Sequence, residues 1–378
     1  MYPSLSGLCI PIEAHAPSRK ISCDLKYWKS QHGHWGKAVS CALSAATLNG
    51  RALPISVLVC TRDRPQSLER CLQSLRELDY PAYEVVVVDN CSGDAKVAQI
   101  IEHAGFRYVR EDRPGLDWAR NRAIQEARHE IVAFIDDDAT ASRGWLRAIA
   151  HAFLDPEVMA VTGLILPAEV ETQSQALFEQ YGGMSKGLDA QMYRPSAMSP
   201  QQLLIAQNFG AGTNMAFRRT LFSSVGYFDI ALDTGTPSGG CGDLDMFHRV
   251  LAGGFALRYQ PAAWILHTHR RDFDALKRQL YTNGRSYGVY LIKRWVKREI
   301  PRGETLRYAL HWFAGWVCAR FVRGLRRRPF FPRTLLWAEL RGAISAPWAY
   351  IATYRAAGGA AATPESSIAA KAVADPAE

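Results

Sequence analysis

From residue 55 onward the chain alternates short apolar runs with stretches whose apolar residues return every three or four positions. Ile55–Cys60 (ISVLVC) and Glu84–Val88 (EVVVV) have strand length. Between them Leu68, Cys71, Leu72, Leu75 and Leu78 keep helical spacing behind Pro65, a residue suited to a helix's first turn. A strand–helix–strand unit of this length predicts a right-handed crossover and parallel strands. The pattern recurs as a weaker strand over Arg107–Arg110, a helix over Leu116–Ala127 and a strand over Ile131–Ile135. Beyond it, Trp145–Phe153 reads as a helix, Val158–Leu166 as a strand, Phe209–Phe217 as a glycine-containing strand, Asp243–Ala252 as a helix and Trp264–Leu266 as a strand. The prediction is an α/β fold with a doubly wound, mostly parallel sheet. Residues 168–208 show no period and read as an insertion or mobile lid.

The polar residues that interrupt this pattern carry the candidate chemistry. Ile131–Asp138 (IVAFIDDD) is an apolar strand that breaks into three carboxylates. Ligands of open α/β sheets bind at the carboxyl ends of the strands, so Asp136, Asp137 and Asp138 are expected at a site. Like charges this close repel by several kcal/mol unless a cation joins them, and a hard divalent ion with substrate phosphates suits them. Other strand ends are also polar: Thr61-Arg62-Asp63-Arg64, Asp89-Asn90-Cys91-Ser92 and His267-Thr268-His269. Gly235–Asp245 (GTPSGGCGDLD) places a flexible loop before a helix. No G-x-G-x-x-G follows the first strand and no P-loop is present, which disfavours a dinucleotide site.

Composition narrows the class. The 48% hydrophobic content of the 378 residues is that of a packed globular chain. Eight cysteines without a C-x-x-C pair suggest neither a zinc ribbon nor a disulfide framework and fit a reducing cytoplasm. The N-terminus does not read as a secretory signal, and no apolar run reaches the ~18 residues of a spanning helix. The net charge of +9 is concentrated: Arg270–Arg333 holds 17 Lys and Arg against 4 Asp and Glu. There Leu276, Leu280, Tyr287, Tyr290, Leu291, Trp295 and Val296 interleave with Lys293, Arg294, Lys297 and Arg298, and Trp312, Phe313, Trp316, Val317 and Phe321 precede Arg323, Arg326, Arg327 and Arg328. This pattern suits an interfacial helix on an anionic membrane, and equally a solvated basic face; no nucleic acid is expected. Trp28, His32, His34 and Trp35 read as packing residues. The expected organisation is an extension at 1–52, the main domain at 53–271, basic amphipathic helices at 272–357 and a disordered tail at 358–378.

The ordered set ISVLVCTRDRP, VVVVDNCSGD, FIDDD, GTNMAFRR, GGCGDLDMFHR and a strand ending in His resembles the family 2 glycosyltransferases of the GT-A fold, over about Pro54–Arg271. The resemblance implies nucleotide-binding and acceptor-binding halves and transfer of a sugar from a nucleoside diphosphate to an acceptor hydroxyl. It assigns Thr61, Arg62, Asp89, Arg120 and Asp136 to the nucleotide, Thr213 and Asn214 to the donor sugar and acceptor, and Asp138 with Asp136 to Mg²⁺ or Mn²⁺. His267 is the candidate third ligand and His269 its substitute. Asp243 is the implied base for inverting attack, with Asp245 as competitor. Where the family pattern has Glu-Asp this chain has Gly242-Asp243, a departure that touches the acceptor contacts. The expected donor is a UDP-sugar ahead of GDP or TDP sugars. The expected acceptor is a saccharide or lipid-linked hydroxyl, and the expected location is cytoplasmic, peripheral at a membrane's inner face. A sugar nucleotidyltransferase would need a glycine-rich loop where this chain has TRDRP. A catalytically silent sugar- or membrane-binding module is opposed by Asp136, Asp138 and Asp243 and kept open by Gly242.

Overall fold

Valine and isoleucine dominate the apolar runs, and their branched side chains suit strands buried on both faces. The computed structural model describes residues 52–319, 322 and 332–357. The extension 1–51, Phe321, Arg323, Arg326, Arg327, Arg328, the tail from Gly358 and the side chains of Trp316 and Val317 lie outside the described residues. β1 (Ile55–Thr61), α1 (Pro65–Arg76), β2 (Tyr83–Asn90), α2 (Lys96–His103), β3 (Arg107–Glu111), α3 (Leu116–Glu126) and β4 (Ile131–Asp136) follow as the periodicity predicts. Their four strands lie side by side and parallel in the order β3-β2-β1-β4.

The chain continues through β5 (Ala139–Ala141), α4 (Trp145–Ala152), β6 (Val158–Pro167), α5 (Gln173–Tyr181), β7 (Gln191–Tyr193), α6 (Pro200–Leu204), β8 (Asn214–Arg218), α7 (Leu221–Val225), α8 (Gly242–Ala252) and β9 (Ala256–His267). The sheet extends past β4 as β8-β6-β9-β5, with β7 also on β9. β8 is antiparallel to β4 and β6, while β6 and β9 are parallel. Successive strand residues point to opposite faces. Val57, Val59, Val85, Val87, Ala133 and Ile135 therefore bury against α1, α2 and α4. Leu58, Val86, Val88, Val132 and Phe134 bury with residues of α3 and α8 on the other face.

The segment 168–208, without period in the sequence, contains α5, β7 and α6, and two helix starts carry capping boxes, Thr172 with Gln175 and Ser199 with Gln202. Two expectations change. The strand expected over Phe209–Phe217 begins only at Asn214. Trp264–Leu266 is the end of a 12-residue strand whose first half is hidden by Arg258, Gln260 and Pro261.

The basic C-terminal segment forms α9 (Phe273–Lys297), α10 (Arg302–His311), a π-helix over Trp312–Cys318, and α11 (Arg333–Ala356). α9 is part of the core: Tyr287, Tyr290 and Leu291 join Phe247 and Leu58 beneath the sheet. It packs backbone to backbone on α11, because a Cβ on Gly284 would lie 2.3 Å from the Glu339 carbonyl and one on Gly342 would lie 1.9 Å from the Tyr281 carbonyl. Among the described residues no helix is long and apolar enough to cross a membrane.

Candidate active site

Strand register gathers the candidate residues on one rim. Thr61 stands opposite Asp89, Cys60 opposite Asp136, Asn214 opposite Ile135, and His267 opposite Ala139. The carboxyl ends of β1, β2, β4 and β9 and the start of antiparallel β8 thus share the edge at which ligands of α/β sheets bind.

The acidic triplet is not three equivalent side chains. Asp137 is buried and fixed: Thr61 Oγ1 donates to its Oδ2 at 2.7 Å and Arg64 Nη1 to its Oδ1 at 3.0 Å. Burial, with help from Asp138 and Asp136, pushes its carboxyl up to about 6 against Arg64 and Thr61. Arg64 Nη1 also reaches Asp138 Oδ2 at 3.2 Å. Arg64, on the loop after β1, therefore supplies the positive charge that three adjacent carboxylates require, and it stands at the solvent edge. Arg62, the expected nucleotide contact, points outward, with Asp63 3.7 Å away.

A chain of polar groups leads from Asp138 into the protein. His267 Nε2 lies 3.2 Å from Asp138 Oδ1, His267 Nδ1 lies 3.0 Å from His269 Nδ1, and His269 Nε2 lies 2.8 Å from Glu179 Oε1. His269 donates from Nε2 to Glu179, and with its Nδ1 bare it accepts from His267 Nδ1. In that tautomer the lone pair of His267 Nε2 faces the Asp138 carboxylate. A lone pair facing a carboxylate oxygen calls for a cation between them, either a proton or a metal. Asp138 Oδ1 is buried and has no hydrogen bond of good geometry. Burial would raise the Asp138 carboxyl, but His267 and Arg64 outweigh it and hold it below the usual range. The residues present therefore fit a divalent ion at Asp138 and His267. Imidazole with carboxylate suits Mn²⁺ better than Mg²⁺. His269, the substitute ligand, instead backs His267. Among the described residues no three Asp, Glu, His or Cys side chains enclose a metal by themselves, so phosphate oxygens and water would complete the shell.

Arg120, on α3 and 7% exposed, is the second organising charge. Burial works against its charge, and Asp117, Asp136 and Asp243 around it more than restore it. Asp136 itself is pushed up by burial, opposed first by Arg120, with Thr213 favouring its ionised form. Asp243, in the first turn of α8, accepts from the Gly212 N–H at 2.7 Å through Oδ2 and from the Leu244 N–H at 2.9 Å through Oδ1. Asp245 is elsewhere. It has no exposed surface, and Arg249 Nε (2.8 Å), Lys293 Nζ (2.5 Å) and Arg294 surround it. Burial would raise its pKa, but those three cations hold it far below the carboxylate range. An enclosed, triply paired carboxylate does not reach a substrate hydroxyl, so Asp245 is a core ion-pair centre rather than a competitor for the base.

Asp89 forms the turn its sequence suggests, accepting from the Ser92 N–H at 2.9 Å, and its Oδ2 meets the Tyr108 hydroxyl at 3.0 Å and Arg110 at 3.3 Å. Asn214 turns inward. Its amide donates to the Leu164 and Ala263 carbonyls at 3.0 and 2.8 Å and accepts from Trp145 Nε1 at 3.0 Å. It ties β8 to β6 and β9 and leaves the rim to Thr213. Lys186, which sequence reasoning passed over, approaches from the 168–208 segment. Burial lowers its ammonium to about 8, and Asp243 partly offsets that.

Comparison with known proteins agrees with this architecture. The sequence model of glycosyl transferase family 2 matches residues 56–226. A pre-mycofactocin glycosyltransferase of Mycobacterium tuberculosis is 28% identical over 231 residues, 59% of this chain and 45% of its own length. The chain thus spans less than half of that relative. Glycosyltransferase AglE of Haloferax volcanii is 22% identical over 255 residues, 65% of this chain and 77% of AglE. Among solved structures, a mannosyltransferase from Pyrobaculum calidifontis, in complex with GDP-Man and Mn²⁺, aligns over 91% of this chain and 89% of its own with 19% identity and a TM-score of 0.45. The glycosyl transferase family 2 model thus matches the part of the chain, residues 56–226, that holds β1 to β8 and the acidic triplet, while Asp243 and His267 lie beyond it.

Proposed function

We propose that this chain is an inverting, metal-dependent glycosyltransferase that takes a nucleoside diphosphate sugar, a UDP-sugar ahead of GDP or TDP sugars, to a saccharide or lipid-linked hydroxyl. The observation that carries it is the gathering of Asp136 and Asp243 around Arg120 on the rim that also holds Asp138 and His267. Asp138 and His267 would hold Mn²⁺ or Mg²⁺, which as a Lewis acid neutralises charge on the departing diphosphate. Thr61 and Asp89 line the nucleoside side, and Arg64 is free to turn from the carboxylates to phosphate oxygens. Asp243 takes the acceptor's proton; the freed oxygen attacks the anomeric carbon opposite the diphosphate, the bond to the diphosphate oxygen breaks, and the configuration inverts. Arg120 keeps Asp243 and Asp136 in fixed relation.

The surface that would meet an anionic membrane, expected over 272–333, extends onto α11. The exposed face of α11 carries Trp337, Ile344, Trp348 and Ile351 with Arg333, Arg341 and Arg355, and its one acidic residue, Glu339, is buried. On α9 Tyr287 and Tyr290 turn into the core while Trp295 and Val296 stay exposed, and Lys293 and Arg294 pair with Asp245.

The test is a screen of nucleoside diphosphate sugars for Mn²⁺-dependent thermal stabilisation, since a ligand of the folded state raises the melting point. It is followed by donor hydrolysis in Asp243→Asn, for which a loss of about a hundredfold or more is expected. No shift with any donor would reject the nucleotide site.

A further inference from the structure

A side chain at position 242 has nowhere to go. A Cβ built there would lie 2.0 Å from Asp117 Oδ2 and 2.8 Å from Asp117 Cγ. Asp117 is 1% exposed, its Oδ1 accepts from Arg120 Nη1 at 3.0 Å, and its Oδ2 has no hydrogen-bond partner. The start of α3 aims it firmly, because the backbone N–H groups of Leu116 and Asp117 each donate to an oxygen of Asp233 at 2.8 Å. Gly212 closes the third side, where a Cβ would meet Arg120 Nη2 at 2.8 Å and Asp243 Oδ2 at 3.0 Å. Asp117 Oδ1 is thus paired with the buried Arg120 guanidinium, and the unpartnered Oδ2 faces Gly242, at the helix start that carries Asp243.

We propose that Asp117 is a positioning residue for the reaction. It supplies from α3 the carboxylate that holds Arg120 against Asp243, in the volume that a side chain at 242 would otherwise fill. The two positions are reciprocal: an acid at 117 requires glycine at 242, and an acid at 242 requires a small residue at 117. The inference rests on the reading of Asp243 as the base.

The experiment is a mutant cycle read both as melting temperature and as donor hydrolysis. Gly242→Ala alone should lower the melting temperature, because its Cβ collides with Asp117. Asp117→Ala/Gly242→Ala relieves the collision but leaves Arg120 short of a counter-charge, and should keep kcat about tenfold or more below wild type with little change in the donor KM. Asp117→Ala/Gly242→Glu should regain most of the lost kcat, since the acid returns from the other helix. Asp117→Ala/Gly242→Ala with wild-type kcat, or the Glu variant no faster than the Ala variant, would overturn the proposal. A wild type that hydrolyses no donor would instead remove the transferase reading itself, a separate outcome from an active wild type whose rescue fails.

Discussion

Asp138 sits between two nitrogen groups of different kinds, the guanidinium of Arg64 at 3.2 Å and the imidazole of His267 at 3.2 Å. Arg64 is the replaceable one, since its side chain is 43% exposed. Arg64→Ala should leave Asp137 and Asp138 facing one another and cost about 1 kcal/mol of metal-free stability. Mn²⁺ should then raise the melting temperature of the variant more than that of wild type, as differential scanning fluorimetry would show. Lys186 offers a pH signature. Its ammonium, lowered to about 8, is charged below that pH and neutral above it. Transfer should fall as pH rises through about 8, and Lys186→Met should be slower at pH 7 and lack that limb. Asp136, Asp138, Asp243 and His267 could be found in the text because each closes a strand or opens a helix. Arg64 stood in the polar run after β1 without a sign of what it faces, and Glu179 and Lys186 could not be found, since they arrive from a helix and a loop far away in the chain. Asn214 was misread for a related reason: a strand's first residue can point along the rim or back between strands, and here it satisfies two carbonyls and an indole.

At the scale of elements, α8 is held by charge on two sides of its start. Its first turn meets Asp117 and Arg120, and Asp245 binds it to α9 through Lys293 and Arg294. Asp245→Asn leaves two buried cations short of a counter-charge and should cost about 3–5 kcal/mol in urea unfolding. Because the folded-state pKa of Asp245 is depressed, its contribution is complete above the ordinary aspartate value of about 3.9 and is lost only as pH falls from there through the lower folded value. The variant should therefore show a flatter acid limb of stability than wild type. Parallel strands and their crossover helices were legible because burial on both faces writes continuous apolar runs. β9 was half hidden because Arg258, Gln260 and Pro261 interrupt its run, and α5 and α6 were hidden because only their caps carry a sequence signal.

For the whole molecule, the charge excess of the last third has two destinations that sequence cannot separate. Part of it, Lys293 and Arg294, is buried as internal counter-charge, and part lines α11 beside exposed Trp348 and Trp337. Trp348→Glu with Ile351→Glu, both on exposed positions, should leave the melting temperature and donor hydrolysis unchanged. It should abolish co-sedimentation with vesicles containing anionic phospholipid, while wild type sediments with those vesicles and not with neutral ones. Equal sedimentation of both proteins would remove the membrane surface from the proposal.

The placement of β9 has one further consequence. That strand lies inside the sheet, between β6 and β5, and α9 then roofs the face formed by Leu58 and Phe247. The match to the family model ends at residue 226, well before either element. The border of that match is therefore not the border of a self-sufficient unit: a gene trimmed to residues 56–226 would encode a sheet with a raw flank and an uncovered oily face, material for inclusion bodies rather than an enzyme.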